Sequence, residues 1–261
     1  MLSLTSAELT TLLATYLWPL VRILALLGAA PLLGNASVPA RVKIGLALLL
    51  AFIVAPTLPA PPHIDPGSAV GMLILLQQVL IGLMMAMVMR IVFASVEAAG
   101  EIIGLQMGLG FATFYDPQTA GQSPLIGQFL GLIATLLFLA MNGHLLMLAV
   151  LVESFQVLPI RADPLAAVNM KTLAMAGGGI LSTGLWLSLP LVAALLMTNI
   201  ALAVLSRSAP QLNIFAIGFP ITLSVGFLVL AWSLPYLATP IEKLMTEGLQ
   251  MMLAVIQPAR S

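Results

Sequence analysis

The sequence predicts an all-α, membrane-associated protein of helical hairpins, with about six long apolar helices and further amphipathic ones. Three observations predict it. Residues are 61% hydrophobic and only 7% charged, and mean hydropathy is +1.14, outside the range of a soluble globular domain. The apolar residues gather in runs, several of them long enough to cross a bilayer core of about 30 Å. Between the runs stand clusters of proline, glycine and asparagine, which end helices and turn chains.

The first run, Leu9 to Leu33, contains Pro19 and Arg22. A charge at that depth costs about 2.5 to 3.5 kcal/mol on insertion scales, so Arg22 is expected to face other protein or a wet cavity. No Lys or Arg precedes this run, which is not the pattern of a cleavable secretory signal. A turn follows at Gly34, Asn35 and Pro39, then the basic pair Arg41 and Lys43. The second run, Ile44 to about Leu58, is short for a span and ends among Pro56, Pro59, Pro61, Pro62 and Pro66.

The third run, Ala69 to about Val96, holds Met84, Met85, Met87 and Met89, followed by Arg90. Flexible apolar side chains in a cluster suit a deformable gasket around a passage, but the filling of a core is the favoured reading. If the helix continues, Arg90, Glu97 and Glu101 fall within about 40° of one another, at positions i, i+7 and i+11. Such a stripe is either a stabilising charge ladder or a path for ions.

Glu97 to Gly121, EAAGEIIGLQMGLGFATFYDPQTAG, is the exception in an apolar sequence. Gly100, Gly104 and Gly108 recur every fourth residue, so a helix here carries a bare groove that another backbone can approach. Beyond Gly108 the periodicity fails. Gly110, Asp116, Pro117, Gly121 and Pro124 mark an irregular loop headed by Phe111, Phe114 and Tyr115.

Leu125 to about Leu151 is a further run, interrupted by Asn142, Gly143 and His144, and Glu153 to Lys171 reads as an extramembrane connection with some amphipathic helix. Gly177, Gly178 and Gly179 mark a hinge or a close-packing point. Ile180 to Leu205 and Ile214 to Leu237 then read as a helical hairpin around the polar turn Ser206 to Asn213. Thr239, Pro240, Ile241 and Glu242 form a capping box with proline at the first helical position, predicting a new helix there. Its apolar stripe is Ile241, Leu244, Met245, Met252, Val255 and Ile256, opposite Glu242, Lys243, Thr246, Glu247 and Gln250.

Composition also excludes function classes. Zero net charge gives no electrostatic capture of nucleic acid. The absence of cysteine removes disulfides, thiolate catalysis and Cys-based metal sites. His63 and His144 are far apart and lack close-spaced ligands, so no metal is expected, and no motif predicts a cofactor. There is no HExxH or GxSxG, and GILSTG at Gly179 to Gly184 has the wrong spacing, so the chain does not read as an enzyme. Basic residues do not separate cleanly by side: with the N-terminus outside, Arg161, Lys171, Lys243 and Arg260 violate the positive-inside rule. Helices held by protein partners would evade that rule.

Three runs carry a family resemblance. QMGLGFATFYDPQTAGQSPLIGQFL, Gln106 to Leu130, and PQLNIFAIGFP, Pro210 to Pro220, resemble signature stretches of the FliR family of flagellar export-gate subunits. APLLGNASVPARVKIGLAL, Ala30 to Leu48, resembles that family's first interhelical turn, and the likeness in length and order covers essentially the whole chain. The wider family includes the SctT-type subunit of virulence type III secretion; NIFAIGFP is more similar to the flagellar branch.

The resemblance implies a single-copy subunit of the bacterial inner membrane and flagellar basal body, assembled with FliP and FliQ into a helical cone, with FlhB and FlhA as further partners. It implies a P-type-like unit over residues 1–175 and a Q-type-like unit over residues 176–261. It also implies a channel plug at Gln106 to Gly121: Gln106, Met107, Gly108, Gly110, Phe111, Phe114, Tyr115, Asp116 and Pro117, with Phe111 and Phe114 at its centre. Tyr115 departs from the aliphatic residue of the family pattern. The rival reading of the charges themselves is a proton-coupled secondary transporter working through Arg90, Glu97 and Glu101.

Overall fold

A computed structural model describes residues 6–59, 64–111, 125–161, 170–209 and 214–257, and every regular element among them is helical. In chain order these are α1 (Ser6–Ala29), α2 (Ala40–Val54) with a 3-10 turn at Ala55–Thr57, α3 (Ala69–Gln106) with a 3-10 turn at Leu109–Phe111, α4 (Leu125–Ala140), α5 (Gly143–Val157), α6 (Met170–Gly178), α7 (Ile180–Ser208) and α8 (Ile214–Ala254). Four helical stretches among the described residues are long and apolar enough to cross a membrane, or five if α4 and α5 make one broken span.

Local chemistry sets many of the ends. After α1, Asn35 Oδ1 accepts the Ser37 amide at 2.9 Å, and Lys43 Nζ donates to Asn35 O at 3.0 Å, so the predicted turn is tied by its own polar residues. Ser68 caps α3 by accepting the Gly71 amide at 3.1 Å. Gly108 has φ 85°, and this left-handed residue follows the last turn of α3. Gly108 therefore ends the helix instead of extending its glycine groove. The run after the loop breaks where expected, at Asn142, which adopts φ 57°.

The tail differs from expectation. No helix begins at Thr239: α8 runs unbroken through Pro235 and Pro240 to Ala254. An interior proline loses one hydrogen bond and costs about 3 kcal/mol. Set against that loss, Leu237, Ile241, Met245, Leu249 and Met252 form one buried stripe that spans Pro240. Packing of a continuous apolar face outweighs the local signal for a cap. Glu242, Lys243, Thr246, Glu247 and Gln250 are exposed on the other side. Two glycines of the triplet are open: Gly178 has nothing within 4 Å of an added Cβ, and Gly177 meets only Ile91 Cδ1 at 4.0 Å.

The chain forms two compact units, one of Met1–Ile91, Asn142–Gly177 and Met245–Ser261, the other of Val92–Met141 and Gly178–Leu244. In the first, Gly82 of α3 lies against α1, where an added Cβ would strike Arg22 O and come within 2.7 Å of Ala25 Cβ. Trp18 of α1 packs with Ala14 and Ile74, and Tyr16 stacks on Phe52 of α2 with ring centroids 6.0 Å apart.

The second unit is built on the C-terminal part of α3. A Cβ at Gly100 would lie 2.6 Å from both Gly127 Cα and Ile126 O of α4, so the two helix backbones touch there. A Cβ at Gly184 of α7 would lie 3.1 Å from Ala99 N and Ser95 O of α3. Phe93 meets Phe138 of α4 edge to face at 5.7 Å.

Candidate functional site

The glycine stretch and its surroundings carry most of the predicted site residues. Gln106 is the last residue of α3. Met107 is fully buried, and a Cβ at Gly226 of α8 would sit 2.6 Å from its Cγ. The head of the proposed plug is thus anchored in the packed core of its unit. Gly108 makes the left-handed turn, and Gly110 and Phe111 belong to the 3-10 turn that follows. Phe114, Tyr115, Asp116 and Pro117 lie outside the described residues, as does His63.

The glycines of the ladder do different things. Gly100 makes the backbone contact with Gly127, whereas Gly104 meets Ile126 Cγ1 at 3.6 Å, an ordinary van der Waals distance. The neighbouring helices supply glycines of their own, Gly127, Gly131 and Gly184, which a search for a ladder on one helix does not reveal.

Arg90, Glu97 and Glu101 all lie on α3 and are exposed. The Glu97 side chain lies over α4, where a Cβ at Gly131 would be 2.9 Å from Oε1. Met84, Met85 and Met89 are buried, and Met87 is 48% exposed. Three of the four methionines therefore fill the interior of the first unit. Among the described residues, no group of three His, Asp or Glu is placed to hold a metal ion.

Sequence reasoning marked Arg22 as costly but did not find what holds it. Its side chain is completely buried. Nε donates to Gln78 Oε1 at 2.8 Å, Nη1 to Ser154 O at 3.0 Å and to Ser154 Oγ at 3.1 Å, and Nη2 to Leu158 O at 3.0 Å. Its guanidinium carbon stands 4.1 Å from the centroid of the Phe155 ring. The acceptors are an amide, a hydroxyl and two backbone carbonyls, with no carboxylate among them.

Those carbonyls belong to the last turn and C-cap of α5, where the Ser154 carbonyl also accepts the Leu158 amide at 2.9 Å and the negative end of the helix dipole favours a cation. Burying a lone charge costs several kcal/mol. Hydrogen bonds to a charged group return about 1.5–3 kcal/mol each, which offsets that cost. The available signal was the pair Gln77 and Gln78, the sole polar side chains of α3 before Arg90. Polar groups inside apolar helices seek each other.

A groove of about 330 Å³ opens between α4 and α8, lined by Leu125, Ile126, Phe129, Phe227, Leu230, Ala231 and Leu234. Its walls are wholly apolar, and it can hold hydrocarbon but offers no polar group for catalysis.

The Met107 anchor predicts a stability effect. Met107→Ala is expected to destabilise the protein by about 2–5 kcal/mol, the usual cost of emptying a buried methionine site. The check is a lower temperature of aggregation for the detergent-purified protein than for the parent.

Residues 13–248 match the family described as Bacterial export proteins, family 1. The chain is 44% identical to the flagellar biosynthetic protein FliR of Escherichia coli K12 over 256 residues, covering 98% of each chain. It is 44% identical to FliR of Pectobacterium carotovorum over 248 residues, covering 95% of this chain and 94% of the relative. The likeness reaches a distant bacterium too: FliR of Bacillus subtilis is 35% identical over 218 residues, covering 82% of this chain and 84% of the relative. A match that is colinear from end to end, on an all-helical chain with these apolar spans, places the chain in the FliR family of bacterial export proteins.

Proposed function

We propose that the chain is a core subunit of the flagellar type III export gate, lining and closing the channel through which unfolded flagellar proteins leave the cytoplasm. Family membership makes it a component of the flagellar export apparatus; the role as channel wall and plug goes further. The observation that carries it is the full-length colinearity with flagellar relatives, which includes the glycine and aromatic stretch Gln106 to Gly121. Exposed apolar side chains support assembly. On α7 alone, Trp186, Met197, Ile200 and Val204 are each at least 59% exposed, a face suited to lipid or to other apolar helices.

In this reading the chain does no chemistry. Glycine gives the plug the conformational freedom to seal and to move aside for a chain of any sequence. FliP and FliQ are the proposed neighbours in the bacterial inner membrane, with FlhB and FlhA beyond them and one copy of this chain per gate. Residues 1–175 are proposed as the P-type-like part and residues 176–261 as the Q-type-like part. The flagellar naming of the relatives favours this system over virulence secretion.

Native mass spectrometry tests the proposal. Tagged protein is co-expressed with its P-type and Q-type neighbours and extracted in mild detergent. The expected result is one copy of this chain in a large hetero-oligomer. A stable monomer or homodimer that ignores those neighbours would overturn the reading and move the exposed Arg90, Glu97 and Glu101 forward as a transport path.

A further inference from the structure

Arg22 is the one fully buried charge among the described residues, and a channel wall or plug has no evident use for it. Its partners are distributed in a telling way. It sits on α1, Gln78 on α3, and Ser154, Phe155 and Leu158 at the end of α5 and just beyond. They lie 56, 132 and 136 residues away along the chain for Gln78, Ser154 and Leu158. None can serve Arg22 until most of the first unit has been made.

We propose that Arg22 is a conditional anchor: it holds α1 in the apolar bundle only while the acceptors of α3 and α5 are in place, and it expels α1 toward water when they are not. The physical basis is the asymmetry of a buried charge. Satisfied by neutral acceptors and a helix C-terminus, it is tolerated. Stripped of them, it is worse than any apolar residue of similar size. Packing reinforces the coupling, because α3 meets the backbone of α1 at Gly82, beside Arg22 O. Trp18, one turn before Arg22, is also fully buried and brings Ile74 of α3 and Ile160 into the same cluster. The three helices therefore close around one polar knot, and α1 is secured only once Leu158 has arrived.

The chain has no cysteine, so one introduced thiol reports alone. Ala14 of α1 is 2% exposed and packs with Trp18. Ala14→Cys in the full chain, expressed with the rest of the export apparatus, is treated in broken membranes with a water-soluble maleimide. With Arg22 and its partners intact, the thiol is expected to be protected. Adding Gln78→Leu and Ser154→Ala removes two of the acceptors and leaves the charge, and labelling is expected to rise several-fold.

Adding Arg22→Met to that pair removes the charge as well, and protection is expected to return. If the pair of substitutions prevents accumulation of the protein, the same logic applies to its amount, which Arg22→Met must restore. Continued protection with Gln78 and Ser154 replaced overturns the proposal. Failure of Arg22→Met to rescue does so equally, since Gln78 and Ser154 would then matter through packing alone.

Discussion

Gly100→Ala is expected to destabilise the second unit strongly, while Gly226→Ala is expected to be mild, although each adds one methyl group at a crowded point. The difference lies in what the methyl group meets. At Gly100 the obstacles are Gly127 Cα, Gly127 N and Ile126 O, all within 2.7 Å of the new atom. These are backbone atoms of α4, and they move only if the whole helix moves. At Gly226 the obstacles are Cγ, Cε and Sδ of Met107, the adaptable end of an unbranched side chain.

Overpacking a well-packed contact costs about 1–3 kcal/mol and occasionally more, and a contact with backbone lies toward the upper end. Total stability is commonly only about 5–15 kcal/mol. For Gly226→Ala, where the unbranched Met107 side chain must shift within its buried site, the cost is expected to be smaller, about 0.5–1.5 kcal/mol. The amount of protein retained in membranes and the diameter of swimming halos on soft agar would both be measured. Equal effects of the two substitutions would count against backbone contact as the basis of the α3–α4 packing.

Removing residues 112–121 is expected to make cells leak small ions without loss of the assembled gate. The boundary follows from Met107, which is completely buried and belongs to the core of its unit. A deletion starting at Gln106 would destroy that anchor and confuse a leak with misfolding. Phe114→Ala and Tyr115→Ala are expected to leak less than the deletion, because under the proposed plug role each would remove one side chain from the seal and leave the rest. Ion permeability of cells, read alongside the yield of intact complex, checks both. An unchanged permeability with the complex intact would remove the plug from the proposed mechanism.

Much of the fold was legible. The break at Asn142, the turn around Asn35, and the end of the long helix near Gly108 all rest on local backbone preference, which a sequence states directly. The end of α8 was not legible. Pro240 after Thr239 is a sound local signal for a helix start, yet the buried stripe from Leu237 to Met252 carries the helix through it. Local signals lose when apolar packing on both sides of them is continuous.

The candidate site divides in the same way. The sequence alone determined that the chain is apolar and helical, that Glu97 to Gly121 is its exception, and that Arg22 needs shelter, because composition, periodicity and the cost of a buried charge are properties of single segments. Only the tertiary structure decided that Gly100 touches backbone while Gly104 does not, that three methionines of the cluster face inward, and that Arg22 rests on Gln78 and the end of α5. A contact belongs to two segments at once. Helical spacing shows which residues share a face, but which face meets which is fixed by the joint packing of the helices across more than a hundred residues of chain.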